Sequence, residues 1–269
     1  MNPQEQRLRR ARLMTAAWTG FVLLVIYLPV LCSALASLGK GRYFLFPIRG
    51  WSVDWWARTL DSIEIGMLLR TSLALAAAVT VVAVAAGFFG ALAFARYDWS
   101  GRRLYQKIVL LPIFFPQPVL GLALLLWFNA VGMEMSWRTA IVAHLVWIVP
   151  VVTLVIAIKV YGFDPALEEA AFDLGASRLQ VLREVTLPIL WPGIWSGALF
   201  AFLLSWGNFP LSLYTTGADS TVPEWLYAKM IAGYTPMVPT LGTMSTIAAA
   251  SALGIGALAA MLMKRRRAA

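Results

Sequence analysis

Residues 161–194 read YGFDPALEEAAFDLGASRLQVLREVTLPILWPGI, a polar, charged segment set between two long apolar runs. Its first part has the marks of a short helix. Asp164 can cap the N-terminus, and Pro165 fits the first turn, where its missing N–H costs nothing. Glu168 and Glu169 follow early, where the positive end of a helix favours carboxylates. Ala170 and Ala171 keep the helix narrow enough to enter a cleft. Gly175 lets the backbone leave through a left-handed conformation. A second short helix is expected over about 177–185, with Leu179, Val181, Leu182 and Val185 apolar among Arg178, Arg183 and Glu184. Leu187-Pro188 then opens the next apolar run. From spacing alone, this is a polar helical hairpin joining two membrane spans.

The flanking runs decide the class of protein. Hydrophobic residues make up 60% of the 269 and charged residues only 13%, whereas soluble domains carry roughly 25% charged residues. That composition excludes a disordered chain, a disulfide scaffold and an ordinary cytosolic enzyme. A single cysteine, Cys32, permits no internal disulfide. Crossing a bilayer core takes about 20 apolar residues in a helix. Six stretches qualify, at about 15–38, 67–95, 108–128, 138–160, 189–213 and 239–263. None holds an acidic residue, and Arg70, Arg138 and Lys159 fall only near ends, where long side chains reach the headgroups. Lipid demands internally paired backbone, hence helices; no strand alternation suggests a barrel. The first run follows Arg7, Arg9, Arg10 and Arg12 and contains Ala34-Leu35-Ala36, features shared with signal peptides, but its apolar part is too long for one. Residues 1–14 are therefore a cytoplasmic tail, 15–263 the membrane domain and 264–269 a basic cytoplasmic tail.

Orientation follows the basic residues. With both ends inside, 15 of the 22 Lys and Arg lie on the cytoplasmic side, including Arg96, Arg102, Arg103, Lys107 and Lys264 to Arg267. The outer side has Lys40, Arg42, Arg49, Arg58, Arg70, Arg138 and Lys229. The net charge of +9 thus reads as membrane orientation, with no nucleic-acid partner. Trp51, Trp55 and Trp56 suit the outer interface. Ala83, Gly87 and Ala91, and again Ala252, Gly256 and Ala260, place small residues four apart, which lets helices approach closely. Pro112, Pro116 and Pro118 imply a kink at the start of the third span. The one histidine, His144, precludes a multi-histidine metal site and is expected to be buried and satisfied. No phosphate-binding loop of the G-x-x-x-x-G-K-[S/T] type is present.

The hairpin resembles the EAA loop of the membrane subunits of bacterial binding-protein-dependent ABC importers: E-A-A, three residues, G, nine residues, I-x-L-P. This chain has Glu169, Ala170, Ala171, Gly175, Leu187 and Pro188 in register, with Val185 in place of Ile. The similarity extends over about 60–263 and is nearest to the spermidine/putrescine-type permeases, through the proline-rich third span and the segment 216–223. It implies an all-α integral membrane protein of the bacterial inner membrane with six transmembrane helices, the MetI-like permease fold and both termini cytoplasmic. It also implies a chain that is no enzyme and binds no cofactor or metal itself. ATP and Mg belong to a separate ATPase dimer, onto which the loop 161–188 docks. Glu169 is then the first candidate for the coupling carboxylate and Glu168 the second, Gly175 supplies the turn, and Leu187-Pro188 is a rigid junction to the fifth span. A second permease chain, of a different sequence by analogy with the polyamine systems, and an extracytoplasmic solute-binding protein complete the partners.

The solute expected from this resemblance is small and polar, of the polyamine type. One feature departs from that subgroup: where polyamine permeases show a Ser-Leu-Asp-Asp-Phe-like acidic pair, this chain reads Ser205-Trp206-Gly207-Asn208-Phe209. Gln117, His144, Trp206 and Asn208 are the candidate pathway residues. The alternative reading is a secondary transporter driven by an ion gradient without an ATPase; it expects ionisable residues within the spans.

Overall fold

The computed structural model describes residues 3–43, 47–48 and 50–268. Arg49 lies outside the described residues, as do the side chains of Arg7, Ala252, Ala260 and Lys264 to Arg267. The chain is almost wholly helical: α1 (Pro3–Ser37), α2 (Asp54–Leu60), α3 (Ile63–Ala91), α4 (Arg102–Leu110), α5 (Gln117–Ala130), α6 (Trp137–Tyr161), α7 (Ala166–Asp173), α8 (Arg178–Val181), α9 (Leu187–Trp206), α10 (Phe209–Thr215), α11 (Val222–Ala232) and α12 (Met237–Ala268). Two compact units divide these elements, one of residues 1–63 and 228–252, the other of 64–227 and 253–269.

Among the described residues, five continuous helices are long and apolar enough to cross a bilayer: Leu8–Ser37, Ile63–Arg96, Trp137–Tyr161, Arg178–Trp206 and Met237–Gly256. A sixth apolar stretch is broken. The stretch expected as one span over 108–128 is two helices, Arg102–Phe114 and Gln117–Ala130, whose axes differ by 103°. Pro112, Pro116 and Pro118 explain the break. Each lacks a backbone donor, and a proline pushes the residue before it out of the helical region. Phe115 is accordingly extended, at ψ 134°. Its 14 residues make α5 only about 21 Å long, short of the roughly 30 Å hydrocarbon core.

The fifth span also differs from the sequence expectation of 189–213. At its C-terminal end the helix stops at Trp206; Asn208 then caps α10 by accepting the Leu211 N–H at 3.1 Å. At its N-terminal end the separate short helix expected over 177–185 is continuous with the span. From α8 the chain passes through a π-helical turn, Leu182–Thr186, straight into α9. Pro188 comes two residues after the end of that turn; it cannot donate to a carbonyl four residues back, and the wider π turn accommodates the missing bond.

In the larger unit the core surrounds α6. Leu75, Val79, Ala83, Ile148, Val152, Ile156, Leu190 and Ala201 are buried together. Glycines bring the neighbouring helices close. A Cβ on Gly87 would lie 2.7 Å from Val152 Cγ1, and one on Gly193 the same distance from Lys159 Cγ. The small-residue series Ala83, Gly87 and Ala91 thus packs against α6. In the later series, a Cβ on Gly256 would approach Trp195 Nε1 at 3.4 Å. In the smaller unit, α1 keeps an exposed apolar surface from Leu13 to Leu35, as hydrocarbon solvation requires. Trp56 donates its indole N–H to Ser37 at 3.3 Å, and Arg58 lies over the Trp55 ring.

Gly66 in α3 has nothing within 4 Å of a built Cβ, which provides an internal control. Gly87→Leu is expected to destabilise the detergent-solubilised protein by about 1–3 kcal/mol through overpacking. Gly66→Leu should leave the melting temperature within about a degree, since it meets no neighbour. Thermal-aggregation curves of the two variants check this.

Candidate functional site

The polar hairpin forms a compact structure at one end of α6 and α9. Asp164 caps α7 as expected, its Oδ1 accepting the Ala166 N–H at 3.0 Å. The C-terminus closes in a Schellman motif: the Gly175 N–H donates to Phe172 O at 2.9 Å, and the Ala176 N–H to Ala171 O at 3.0 Å. Gly175 stands at φ +85°, a left-handed conformation that costs a side-chain-bearing residue roughly 1–2 kcal/mol. Ser177 and Gln180 then build a reciprocal capping box on α8, which starts the long helix at a defined residue.

The two adjacent glutamates take opposite roles. Glu168 points inward. Its Oε2 accepts from Arg96 Nη2 at 2.7 Å, its Oε1 accepts the Thr186 hydroxyl at 2.6 Å, and the paired side chains of Arg96 and Glu168 are 14% and 16% exposed. Removing one partner from a shielded pair of this kind costs on the order of 2–5 kcal/mol. Arg96 also lies over the Phe163 ring at 4.9 Å, a favourable cation–π placement. Glu169 is exposed. Helical spacing puts it beside Asp173 on an acidic edge, while Leu167, Ala170 and Leu174 share the adjoining strip. Leu174 is 89% exposed, an unusual state for a leucine in a well-ordered turn. Ala171 is partly covered and Ala170 open. Leu187 and Val185 pack onto the core around α6, so the Leu187-Pro188 junction is anchored in the membrane body.

Sequence reading missed Arg96, Phe163 and Thr186. A signal existed: Arg96 closes an apolar run, and two consecutive glutamates on a short helix cannot both face the same way. The partners themselves lie 72 and 18 residues from Glu168, beyond what local spacing reveals.

The candidate pathway residues fall into two sets. His144 and Asn208 are buried within a polar cluster where α6 meets α9 and α10. Ser212 donates its hydroxyl to Asn208 O at 2.7 Å. His144 Nε2 therefore donates to Ser212 Oγ at 3.1 Å, and Nδ1 accepts from Ser205 Oγ at 2.9 Å. Every polar atom of the imidazole is used, which matches the expectation of a satisfied buried histidine. Gln117, at the start of α5, and Trp206, stacked on Phe202 with ring centroids 6.2 Å apart, are partly exposed. The structure does not bring these two into contact with the hairpin. Among the described residues no group of three or more His, Cys, Asp or Glu is placed to hold a metal ion.

A central helix with eleven of its 25 residues buried, small-residue contacts, one broken apolar stretch and a capped hairpin with an exposed acidic edge describe a helical membrane protein. Residues 83–266 match the family described as binding-protein-dependent transport system inner membrane component, and the chain belongs to that family. It is a permease subunit of an ABC importer, located in the inner membrane. It is 28% identical over 223 residues to the spermidine/putrescine transport system permease protein PotC of Haemophilus influenzae, covering 82% of this chain and 86% of that protein. The putrescine transport system permease protein PotI of Escherichia coli is 28% identical over 239 residues, covering 84% and 85% of the two chains. In fold, the chain resembles a bacterial ABC transporter involved in the import of the acidic polysaccharide alginate, with a TM-score of 0.67 at 19% identity over 95% of this chain and 97% of that one.

Because a Cβ on Gly175 would meet nothing within 4 Å, substitutions there isolate backbone conformation from packing. Gly175→Asn is expected to keep the hairpin intact and Gly175→Val to open it, with a severalfold faster cut by protease in the 172–178 segment. Limited proteolysis of detergent-purified protein reads the difference.

Proposed function

We propose that this permease moves a small polar solute, delivered by an extracytoplasmic binding protein, and that α7 docks onto a separate ATPase dimer whose nucleotide cycle drives the movement. The observation that carries the reading is the division of labour on α7. Glu168 faces the membrane body, leaving Glu169, Ala170 and the almost bare Leu174 free. An apolar strip beside an acidic edge suits a cleft with apolar walls and a basic residue at its rim. Glu169 is thus the docking carboxylate, Ala170 and Ala171 keep the approach narrow, Gly175 sets the turn, and Leu187-Pro188 carries motion into α9. The basic residues of 96–107, 159–183 and the C-terminal tail put this hairpin and both termini on the cytoplasmic side.

The similarity to PotC and PotI makes polyamines the first solute class to test. Gly207-Asn208 supplies no carboxylate where that subgroup has two, and the six apolar stretches contain none. An unpaired polycation in the membrane interior is expensive, so a second, different permease chain would have to provide the negative partners. Gln117 and Trp206 are the pathway residues of this chain, whereas His144 and Asn208 hold the helices that frame it.

Glu169→Lys is expected to lower uptake of radiolabelled putrescine at least tenfold in cells carrying the complete importer. Recovery of the ATPase with the tagged permease should fall in parallel, while the amount of inserted permease stays unchanged. Full ATPase recovery and uptake with this variant would remove Glu169 from the docking role.

A further inference from the structure

We infer that Arg96, Glu168 and Thr186 form a strut that makes the coupling helix and the cytoplasmic ends of three spans move as one body. These residues are therefore positioning residues for transport and not docking residues. The inference rests on the coupling role proposed for α7.

Eight residues long, α7 turns only Glu168 and Ala171 inward. Ala171 offers one methyl group of contact, so Glu168 is what fastens the helix to the membrane body. Its two oxygens are bound by different elements. Arg96 is the last residue of the π-helical turn Leu92–Arg96 that ends α3, and Thr186 is the last residue of the π-helical turn Leu182–Thr186 that leads into α9. The third element enters through Phe163, just beyond the end of α6, on which the Arg96 guanidinium rests. A π turn shifts the angular register of a helix by the width of one inserted residue and recurs at functional positions. Here two such turns each end on a residue that meets the same carboxylate. Without these bonds α7 would hang between Gly162 and Gly175, and a push on its outer face would rotate it. With them, a push is delivered to α3 and α9 along two separate bonds.

The assembled importer, in a Cys32→Ser background, is labelled with spin probes at Asp98→Cys and at the exposed first residue of α7, Ala166→Cys, and reconstituted in liposomes. Interspin distances are measured without nucleotide and after trapping with ATP and vanadate. With the strut intact, one narrow distance distribution is expected in both states. Arg96→Glu, Glu168→Arg and the near-isosteric Thr186→Val should each broaden the distribution and make it differ between states, with ATP hydrolysis held within about twofold. The double variant Arg96→Glu with Glu168→Arg should restore the narrow distribution. Thr186→Val keeps the test open should a charge reversal fail to fold. A narrow, state-independent distance in all the single variants, or a wild-type distance that already changes between states, would overturn the strut. Failure of the unsubstituted permease to retain the ATPase would instead remove the docking role of α7, and the strut with it.

Discussion

Lipid offers no hydrogen bonds, so every backbone polar group in a membrane span must be paired within the protein. This constraint sorts the chain into long uninterrupted helices and a few permitted breaks, and the breaks carry the interest. At Phe115-Pro116 three prolines remove donors and the third crossing splits. At Gly207-Asn208 the side chain of Asn208 takes up the next helix's first free N–H. At Leu92–Arg96 and Leu182–Thr186 the helix widens into π turns without stopping. Each irregularity sits where the protein needs a change of direction or of side-chain register. Between them, glycines let α3 and α9 close on α6 with almost no space to spare.

Charge is placed with equal economy. The six apolar stretches read from the sequence hold no carboxylate, and His144, Ser205, Asn208 and Ser212 are joined by hydrogen bonds in the interior. The acidic residues of the hairpin are divided by a single helical step: Glu168 is consumed internally, and Glu169 is exposed. A carboxylate whose oxygens both accept charge-assisted or short hydrogen bonds has little left to offer a second protein. Adjacent identical residues thus stand in distinct environments because the helix turns about 100° between them.

Much of this was legible in the sequence. Apolar runs of twenty or more residues define the helical class, and the spacing of Asp164, Gly175 and Leu187-Pro188 places the hairpin, its cap and its turn where the structure has them. What was not legible depended on long-range placement. The prolines at 112–118 signalled a kink, but a turn of 103° between two separate helices follows from how Phe115 and Pro116 are held extended. Hydropathy carries the fifth span on to residue 213, because Phe209, Pro210 and Leu211 are as apolar as what precedes them; only the cap at Asn208 reveals the break. The expected end of the second hairpin helix near 185 failed for the opposite reason, since a π turn absorbs Pro188 that otherwise signals a stop. Arg96 and Thr186 became functional candidates only once folding brought them to Glu168.

On the function proposed above, this permease has no motive force of its own and is moved through α7 by a nucleotide-driven partner. Solute flux into liposomes tests it most directly, comparing the purified chain alone under an imposed proton or sodium gradient with the chain assembled with its ATPase and second permease in the presence of ATP. Accumulation is expected only in the assembled, ATP-supplied liposomes. Gradient-driven accumulation by the chain alone would contradict it.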